Sequence, residues 1–555
     1  MNKKWWKEAV CYQIYPKSFK DSNGDGIGDL RGVINKLDYL TELGIDVIWI
    51  CPIYQSPNAD NGYDISDYQA IMDEFGTMQD FDELLDEVHN RGMKLIMDLV
   101  INHTSDEHPW FIESKSAVES PKRDWYIWSD GKPGIPPNNW ESIFSGSAWQ
   151  YDIESEQYYL HVFAKKQPDL NWENPDMREA VYAMVNWWLD KGIDGFRIDA
   201  ISHIKKKAGL PDVEALDENG IKGFNMYTNQ DGIHDYLQEL KAKTFSKYDI
   251  MTVGEASGVS SEDADPWVNE ETGAFDMVFQ FEHLSLWEKD TEIDLDLVSF
   301  KKILSKWQTA LHNKGWNALF IENHDKPRIV STLGNDQEFW KESAKMLGTM
   351  YFLMQGTPFI YQGQEIGMTN VAFPSIDDYD DIGMKNYYQL ETAKGRDHLD
   401  IMKVIWKSGR DNSRTPMQWD SSVNGGFTVG IPWMKVNPNY LKINVKNQLH
   451  DSESILSYYK KMIRLRKQYD CLVYGEYKLY LEEDPNVFIY SRFTNDQTAL
   501  VICNFSDSQQ MIKLPDFKKL TGKLILSNYN NHTNEADGKG QLLLSPYESR
   551  VYLFQ

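Results

Sequence analysis

The chain has 555 residues, 41% hydrophobic and 25% charged, with a formal net charge of −27 at pH 7, a composition suited to a soluble globular protein of roughly two to four domains. That acidity excludes a nucleic-acid surface or an anionic membrane as the main partner, and no run of about 18 apolar residues offers a membrane span. The four cysteines (Cys11, Cys51, Cys471 and Cys503) have no C-x-x-C spacing, so buried free thiols are expected rather than zinc or disulfides. The opening "MNKKWWKEAV" interrupts its apolar residues with Lys7 and Glu8, so no signal peptide is read and a cytoplasmic protein is expected.

In chain order, short β-rich runs recur at 10–16, 46–52, 94–100, 195–200, 250–256, 276–282, 317–325 and 357–365. Several are continuously apolar, as strands covered on both faces are. Helical stripes separate most of them. "DLRGVINKLDYLTELG" places Leu30, Val33, Leu37, Leu40 and Leu43 on one face and stops at Gly44. "QDFDELLDEVHNRG" and "DMREAVYAMVNWWLDKG" repeat the form. Eight β–α repeats predict a (β/α)8 barrel. Residues 105–174, rich in Pro, Trp, Asn and Ser, are too long for a loop and read as an inserted subdomain after the third strand. A second insertion runs from about 366 to 445, ahead of the helical "SILSYYKKMIRLRKQY". Beyond 475 the texture turns to alternating β in "YKLYLEED", "NVFIYSRF", "ALVICNF" and "LILSNY". The expected division is a barrel over 1–104 and 175–475, the inserted subdomain over 105–174, and a C-terminal antiparallel β-sandwich over 476–555.

The loop after the first strand, "KDSNGDGIGDL", alternates Asp21, Asn23, Asp25 and Asp29 with small residues. It starts like an EF-hand, but Gly32 stands where the bidentate Glu belongs, and the segment follows a strand. Asp21, Asn23, Asp25 and Asp29 with the Ile27 carbonyl form an oxygen-only donor set for Ca²⁺ or Mg²⁺ in a structural role.

Barrel chemistry sits at the C-terminal ends of strands. The third strand ends in "MDLVINH", with Asp98, Asn102 and His103. The fourth carries Arg197 and Asp199 in "FRID", the fifth ends at Glu255, and the seventh ends in "ENHD", with Glu322, Asn323, His324 and Asp325. Arg197 and Asp199 are two apart on a strand and so share a face. A guanidinium there lowers a carboxyl pKa, which suits a nucleophile. Glu255 lies among small residues in "VGEASG", with no basic neighbour in sequence. A poorly solvated Glu stays protonated and suits a general acid. One carboxylate to attack and one carboxylic acid to protonate the leaving oxygen are the requirements of glycoside hydrolysis.

"DLVINH", "GFRIDA", "VGEA" and "ENHD" resemble the ordered signature segments of the α-amylase family of glycoside hydrolases. "QPDLNWENP", "NGYDISDY", "RTPMQWD" and the opening "WWKEAVCYQIYPKSF" resemble its oligo-1,6-glucosidase subfamily, and the likeness covers essentially the whole chain. The resemblance implies Asp199 as nucleophile, Glu255 as acid/base and Asp325 as transition-state stabiliser, with retention of configuration. It implies that Arg197, His103 and His324 hold the sugar, that Tyr63 is its aromatic platform, and that Asp60 and Arg410 close the pocket around a non-reducing terminal glucose. It also supports the structural ion, and no organic cofactor is called for. The implied activity is release of α-1,6-linked glucose from short oligosaccharides such as isomaltose, isomaltotriose and panose, by a monomer.

Ala200, after the proposed nucleophile, departs from the subfamily's Val and leaves α-1,4 linkages open as well. A methyl-scale change in a pocket shifts preference by about 1–3 kcal/mol without abolishing either activity. A sucrose isomerase would carry "RLDRD" where this chain reads "FEHLSLWEKD" (281–290). A trehalose-6-phosphate hydrolase needs a cationic phosphate pocket, and "HIKKKAG" (203–209) reads instead as exposed lysines on a helix. A non-catalytic sugar-binding homologue would lack the carboxylates present at 199, 255 and 325.

Overall fold

The protein is described here from a computed structural model, over residues 3–216, 220–288, 295–514, 522–530 and 541–555. All eight predicted barrel strands are present: β1 (Cys11–Ile14), β2 (Val47–Ile50), β3 (Lys94–Val100), β4 (Gly195–Asp199), β5 (Met251–Glu255), β6 (Met277–Phe279), β7 (Ala318–Leu319) and β8 (Thr357–Tyr361). They pair in parallel in the order β6-β5-β4-β3-β2-β1-β8-β7. A parallel bridge from Val278 to Asn317 joins the two ends and closes the ring. Helices follow the strands: α1 (Leu37–Leu43), α2 (Met78–Asn90), α3 (Pro175–Asp190), α4 (Ile233–Lys243), α5 (Asp265–Val268), α6 (Leu297–Leu311), α7 (Trp340–Phe352) and α8 (Ile455–Gln468).

Local chemistry sets these limits. Thr77 and Asp80 form a reciprocal capping box at the start of α2. Asn174 caps α3 with Pro175 in its first turn. Gly44 ends α1 at φ 101°, its N–H reaching back to the Leu40 carbonyl. One helix was predicted across 30–43, but the chain breaks it at Asn35–Lys36, between Leu30–Ile34 and α1. The Lys36 N–H closes a tight turn onto the Val33 carbonyl, and its ammonium stands over the Trp419 ring at 4.1 Å. Asn favours such breaks by competing with the helix backbone.

Alternation along the strands builds two cores. Val47, Trp49, Ile96, Met251, Val253, Met277, Phe279 and Phe359 form one cluster inside the barrel. Their strand neighbours Ile48, Leu95, Met97, Phe196, Ile198, Val278 and Ile360 pack into the cluster shared with the helices. By the same period of two, Asp98 follows Ile96, and Glu255 follows Val253, onto the inward face. Aromatic and aliphatic side chains thus fill the barrel's lower layers, and charged groups occupy its C-terminal end.

The inserted subdomain carries an antiparallel three-stranded sheet of Trp128–Asp130, Gln157–Leu160 and Trp149–Asp152, with its own core of Trp140, Trp149, Tyr158 and Leu160. Between β8 and α8, helices at Ile382–Ala393 and His398–Ser408 pack around Phe373, Ile401 and Ile405. The C-terminal domain has β9 (Glu476–Tyr480), β10 (Val487–Phe493), β11 (Thr498–Asn504), β12 (Gln510–Lys513), β13 (Lys523–Ser527), β14 (Gln541–Leu544) and β15 (Ser549–Phe554). Five strands form one antiparallel sheet, β9-β10-β11-β15-β13, and β12 pairs with β14. The predicted strands correspond to β9, β10, β11 and β13; the other three are short or terminal.

In the run "HIKKKAG" a short helical turn ends at His203, and the lysines that follow are neither helical nor all exposed. Lys206 is buried, with its ammonium 2.6 Å from Asp169 and 3.0 Å from the Asn102 side-chain oxygen. It ties the end of the inserted subdomain to the strand-three rim, and its charge is already paired. All four cysteines are buried free thiols.

Gly195 opens β4 at φ 139°, where a Cβ would lie 1.9 Å from the Met251 carbonyl oxygen of β5. Gly195→Ala is therefore expected to cost about 3 kcal/mol or more, read by urea unfolding. An unchanged midpoint would show that the two strands part without penalty.

Candidate active site

The site is organised around one buried guanidinium. Strand register sets Arg197 beside Asp98 on β3 and beside Val253, two residues before Glu255, on β5. Arg197 Nη1 lies 2.8 Å from Asp98 Oδ1 and 2.6 Å from Asp199 Oδ1, and Nη2 lies 2.6 Å from Glu255 Oε2. The Ala200 N–H also donates to Glu255 Oε2, at 3.0 Å. Ala200 adopts a left-handed conformation, φ 46°, as the strand turns into the loop that follows. Glu255 therefore has a basic partner, contrary to the reading from its neighbours in sequence. The partner comes from the adjacent strand.

A second correction concerns Asp199. Burial pushes its carboxyl well up from the usual range; Arg197 pulls it down, and the Glu255 and Asp98 carboxylates push it up again. The net direction is upward, where the Arg197 contact alone predicted a fall. Asp98 is raised for the same first reason, burial, opposed by Arg197. Burial and mutual repulsion around one guanidinium thus oppose the joint ionisation of Asp98 and Asp199.

From Asp98 the contacts run outward. Tyr63 Oη donates to Asp98 Oδ2 at 3.0 Å and lies 2.6 Å from His324 Nε2, and the Tyr63 and His324 rings are parallel within 5°. Gln13 of β1 holds His324 Nδ1 at 2.7 Å, and His324 Nε2 is 3.0 Å from Asp325 Oδ2. Arg414 Nη2 lies 2.7 Å from Asp325 Oδ1, with Arg410 Nη1 at 3.4 Å. Burial pushes Asp325 up, but His324, Arg414 and Arg410 overcome it and hold the carboxyl well below the usual range. Arg410 Nη2 reaches Asp60 Oδ1 at 3.3 Å, so the expected closing pair is in contact. Gln167 Nε2 bridges Asp60 Oδ2 (3.2 Å) and His103 Nε2 (3.2 Å). His103 Nε2 lies 3.0 Å from the Tyr63 carbonyl, and burial lowers its pKa, so the ring is neutral at pH 7.

Asp60, Tyr63, His103, Arg197, Asp199, Glu255, His324, Asp325 and Arg410 thus form one continuous network, which Ala200 joins through its backbone. The network also includes Asp98, which the sequence marks at the end of the third strand without a role, and Gln167, Asp381 and Arg414, which it does not mark. Gln167 and Arg414 stand inside the quoted segments "QPDLNWENP" and "RTPMQWD", which gave no role for them. Asp381, in a segment with no motif, pairs with Arg410 at 2.8 Å. A cavity of about 1000 Å³ opens past Asp325, Arg410, Asp381 and Phe144 and extends toward Trp287 and Tyr547.

The acidic loop lies elsewhere. Asp21 accepts from the N–H groups of Asn23, Gly24 and Gly26 and from the Thr428 hydroxyl. Burial raises its carboxyl, and these hydrogen bonds outweigh burial and lower it. Asn23 and Asp25 accept from the N–H groups of Asp25 and Ile27. Asp29 caps the Leu30–Ile34 helix and accepts from Ser22. The loop is closed on its own backbone and on 427–433, through Asp21 N–H to the Phe427 carbonyl and Trp433 N–H to the Gly26 carbonyl. The donors suit a hard cation in chemical type. Among the described residues, no three His, Cys, Asp or Glu side chains converge as a metal cage would.

The family description "Alpha amylase, catalytic domain" matches residues 13–475. The chain belongs to the α-amylase family. A second description, "Alpha-amylase SusG C-terminal domain", matches residues 487–551. Within the α-amylase family the chain is 58% identical to the probable oligo-1,6-glucosidase 3 of Bacillus subtilis (strain 168), over the full length of both. Among solved structures it is similar to trehalose-6-phosphate hydrolase of Bacillus licheniformis, with a TM-score of 0.94 and 48% identity over 99% of this chain and 100% of the other. It is also similar to isomaltulose synthase of Protaminobacter rubrum, with a TM-score of 0.95 and 43% identity over the whole of both.

The raised Asp199 pKa gives a stability prediction. A carboxyl whose folded pKa lies above its unfolded value of about 3.9 stabilises the fold only at low pH and costs stability at neutral pH. Asp199→Asn removes that cost and is expected to melt about 2 °C or more above the parent at pH 7, with the gap narrowing as pH falls toward 4. A variant melting below the parent at pH 7 would contradict the upward direction.

Proposed function

We propose that the chain is an exo-acting, retaining α-glucosidase that releases non-reducing-end α-1,6-linked glucose from short oligosaccharides such as isomaltose, isomaltotriose and panose, with α-1,4 linkages as secondary substrates. One observation carries the mechanism: Asp199 and Glu255 are held by the two ends of a single guanidinium. That favours the close pair of retaining enzymes, roughly 5–5.5 Å, over the wider spacing of inverting ones. The linkage reading draws on the 58% identical relative named probable oligo-1,6-glucosidase.

In this reading Asp199 Oδ1 stays on Arg197, and Oδ2 attacks the anomeric carbon. Both donors to Glu255 fall on Oε2, which leaves Oε1 as the oxygen placed to deliver a proton to the leaving glycosidic oxygen. Glu255, then ionised, takes a proton from water, which displaces Asp199 and gives glucose of the original configuration. Asp325, kept ionised by His324, Arg414 and Arg410, faces the positive charge developing on the ring. Tyr63 and His324 supply flat surface beneath the sugar, and neutral His103 offers a hydrogen bond. Asp60 and Arg410 close the far end, which limits attack to the terminal unit.

The isomerase alternative depends on the segment after β6, of which Glu282–Leu284 and Ser285–Glu288 are helical; 289 and 290 lie outside the described residues. Nothing described there adds a second cation facing the sugar. The phosphate-ester alternative loses its main support because Lys206 is paired with Asp169. Asp21, Asn23, Asp25 and Asp29 with the Ile27 carbonyl are proposed to hold Ca²⁺ or Mg²⁺ as a structural tie between this loop and 427–433, supported by the oxygen-only donor chemistry.

Two tests follow. The parent is expected to turn over isomaltose faster than maltose, sucrose, trehalose or trehalose-6-phosphate, with α-glucose as the first product by NMR, and Asp199→Asn to lose about 10³-fold or more of kcat/KM. A β-product, or preferred turnover of another sugar in that panel, would replace this reading. Prolonged chelation is expected to lower Tm by several degrees, restored by added Ca²⁺. A Tm indifferent to both would leave the loop a closed turn without an ion.

A further inference from the structure

Arg410 is held unevenly. Its Nε and Nη2 donate to Asp381 Oδ1 at 3.0 and 2.8 Å, and its backbone N–H donates to Asp381 Oδ2 at 3.2 Å. Its contacts to Asp60 and Asp325 are long, at 3.3 and 3.4 Å. Phe144 of the inserted subdomain lies against the other side, 4.9 Å from the guanidinium carbon to the ring centre. Asp381 is 1% exposed, and its partners are Arg410 and the Gly383 N–H, where it caps the helix Ile382–Ala393. Asp411 in turn fixes the backbone at this point by accepting from the Asp381 N–H at 2.8 Å. The neighbouring Asp380 accepts from Asn61 Nδ2 at 3.2 Å. The 380–381 pair therefore touches both sides of the closure, Asn61 beside Asp60 and Arg410 opposite.

We propose that Asp381 is a positioning residue that aims Arg410, so that the Arg410–Asp60 contact closes the pocket behind one terminal glucosyl ring and Arg410 is withheld from a close pair with Asp325. This rests on the reading of Asp60 and Arg410 as the pocket's closure. A free guanidinium this near a carboxylate forms a short bidentate pair when nothing else engages it. Asp325 Oδ1 already accepts from Arg414 at 2.7 Å. A second short pair there would draw the carboxylate away from the sugar and open the contact with Asp60. Asp381 prevents this by occupying two of the guanidinium's nitrogens on the side away from Asp325. The strong contact is the tether, and the two long ones can yield and re-form as sugar enters and leaves. Asp381 sets specificity for a chain end without touching the sugar, since both its oxygens are engaged elsewhere.

The test is a double-mutant cycle read by glucose binding in isothermal titration on the full chain, with parent, Asp381→Asn, Arg410→Met and the double variant. Asn retains the helix cap and removes the charge that holds Arg410. Asp381→Asn is expected to keep the parent's melting temperature and to weaken glucose binding about tenfold. In the Arg410→Met background the same substitution is expected to change Kd by less than about twofold. An unchanged Kd in Asp381→Asn overturns the proposal. So does the same tenfold loss in the Arg410→Met background, which would mean a structural role independent of Arg410, and so does an absence of glucose binding in the parent. Because the readout is binding, a parent that fails to hydrolyse α-glucosides counts against the catalytic reading and leaves this cycle measurable.

Discussion

The arrangement of this protein depends on a single cation placed where water does not reach. Arg197 is 1% exposed, and its guanidinium faces carboxyls from three adjacent strands, β3, β4 and β5. Burying one charge without partners is costly, and burying several carboxylates without a cation is worse. The barrel meets both constraints in one place. Parallel register makes Asp98 the cross-strand partner of Arg197, and the period of two places Asp199 and Glu255 at the same level. The carboxyls still outnumber the cation, which pushes Asp98 and Asp199 upward. That excess is a stability cost.

Around this centre the molecule carries its most buried charges on rigid strands and the groups over the barrel mouth on longer insertions. Asp98, Arg197, Asp199 and Glu255 stand on barrel strands whose other side chains are fully packed, so their positions vary little. His103 and Gln167 come from the borders of the inserted subdomain, and Asp381, Arg410 and Arg414 from the long segment between β8 and α8. These segments meet over the barrel mouth through hydrogen bonds, ion pairs and the Phe144 ring. Such contacts are directional and sensitive to distance, so the mouth is shaped by a few hydrogen bonds whose partners lie 350 residues apart in the chain, as with Asp60 and Arg410.

The two arginines at the mouth are held differently. Arg414 is buried and makes a short pair with Asp325, while its Nε donates to the His324 carbonyl. It belongs to the fixed wall. Arg410 is partly exposed, is anchored from behind by Asp381, and reaches Asp60 and Asp325 at the limit of hydrogen bonding. Both arginines act with His324 to hold Asp325 ionised, and they differ in what holds each from the far side.

Much of this was legible in the chain. Periodicity places all eight barrel strands, because strands covered on both faces must be apolar throughout and the helices between them must be amphipathic. The inserted subdomain and the β-rich C-terminal region also show, since length and texture change where they begin. The polar residues ending strands three, four, five and seven meet in one network, because in a barrel those ends converge. Sequence could not show what depends on register and on distant segments. Glu255 has no basic neighbour along the chain and acquires one only across the sheet. The Arg197 contact predicts a lowered Asp199, whereas tertiary burial and two more carboxyls reverse the direction. Lys206 reads as a solvated charge until Asp169 is folded against it, and Asp381 stands in no motif. Local pattern determines which residues face inward, because side-chain direction repeats with the backbone. Which charges then meet, and what each does to the others' protons, was decided only when strands and insertions closed over one another and excluded water.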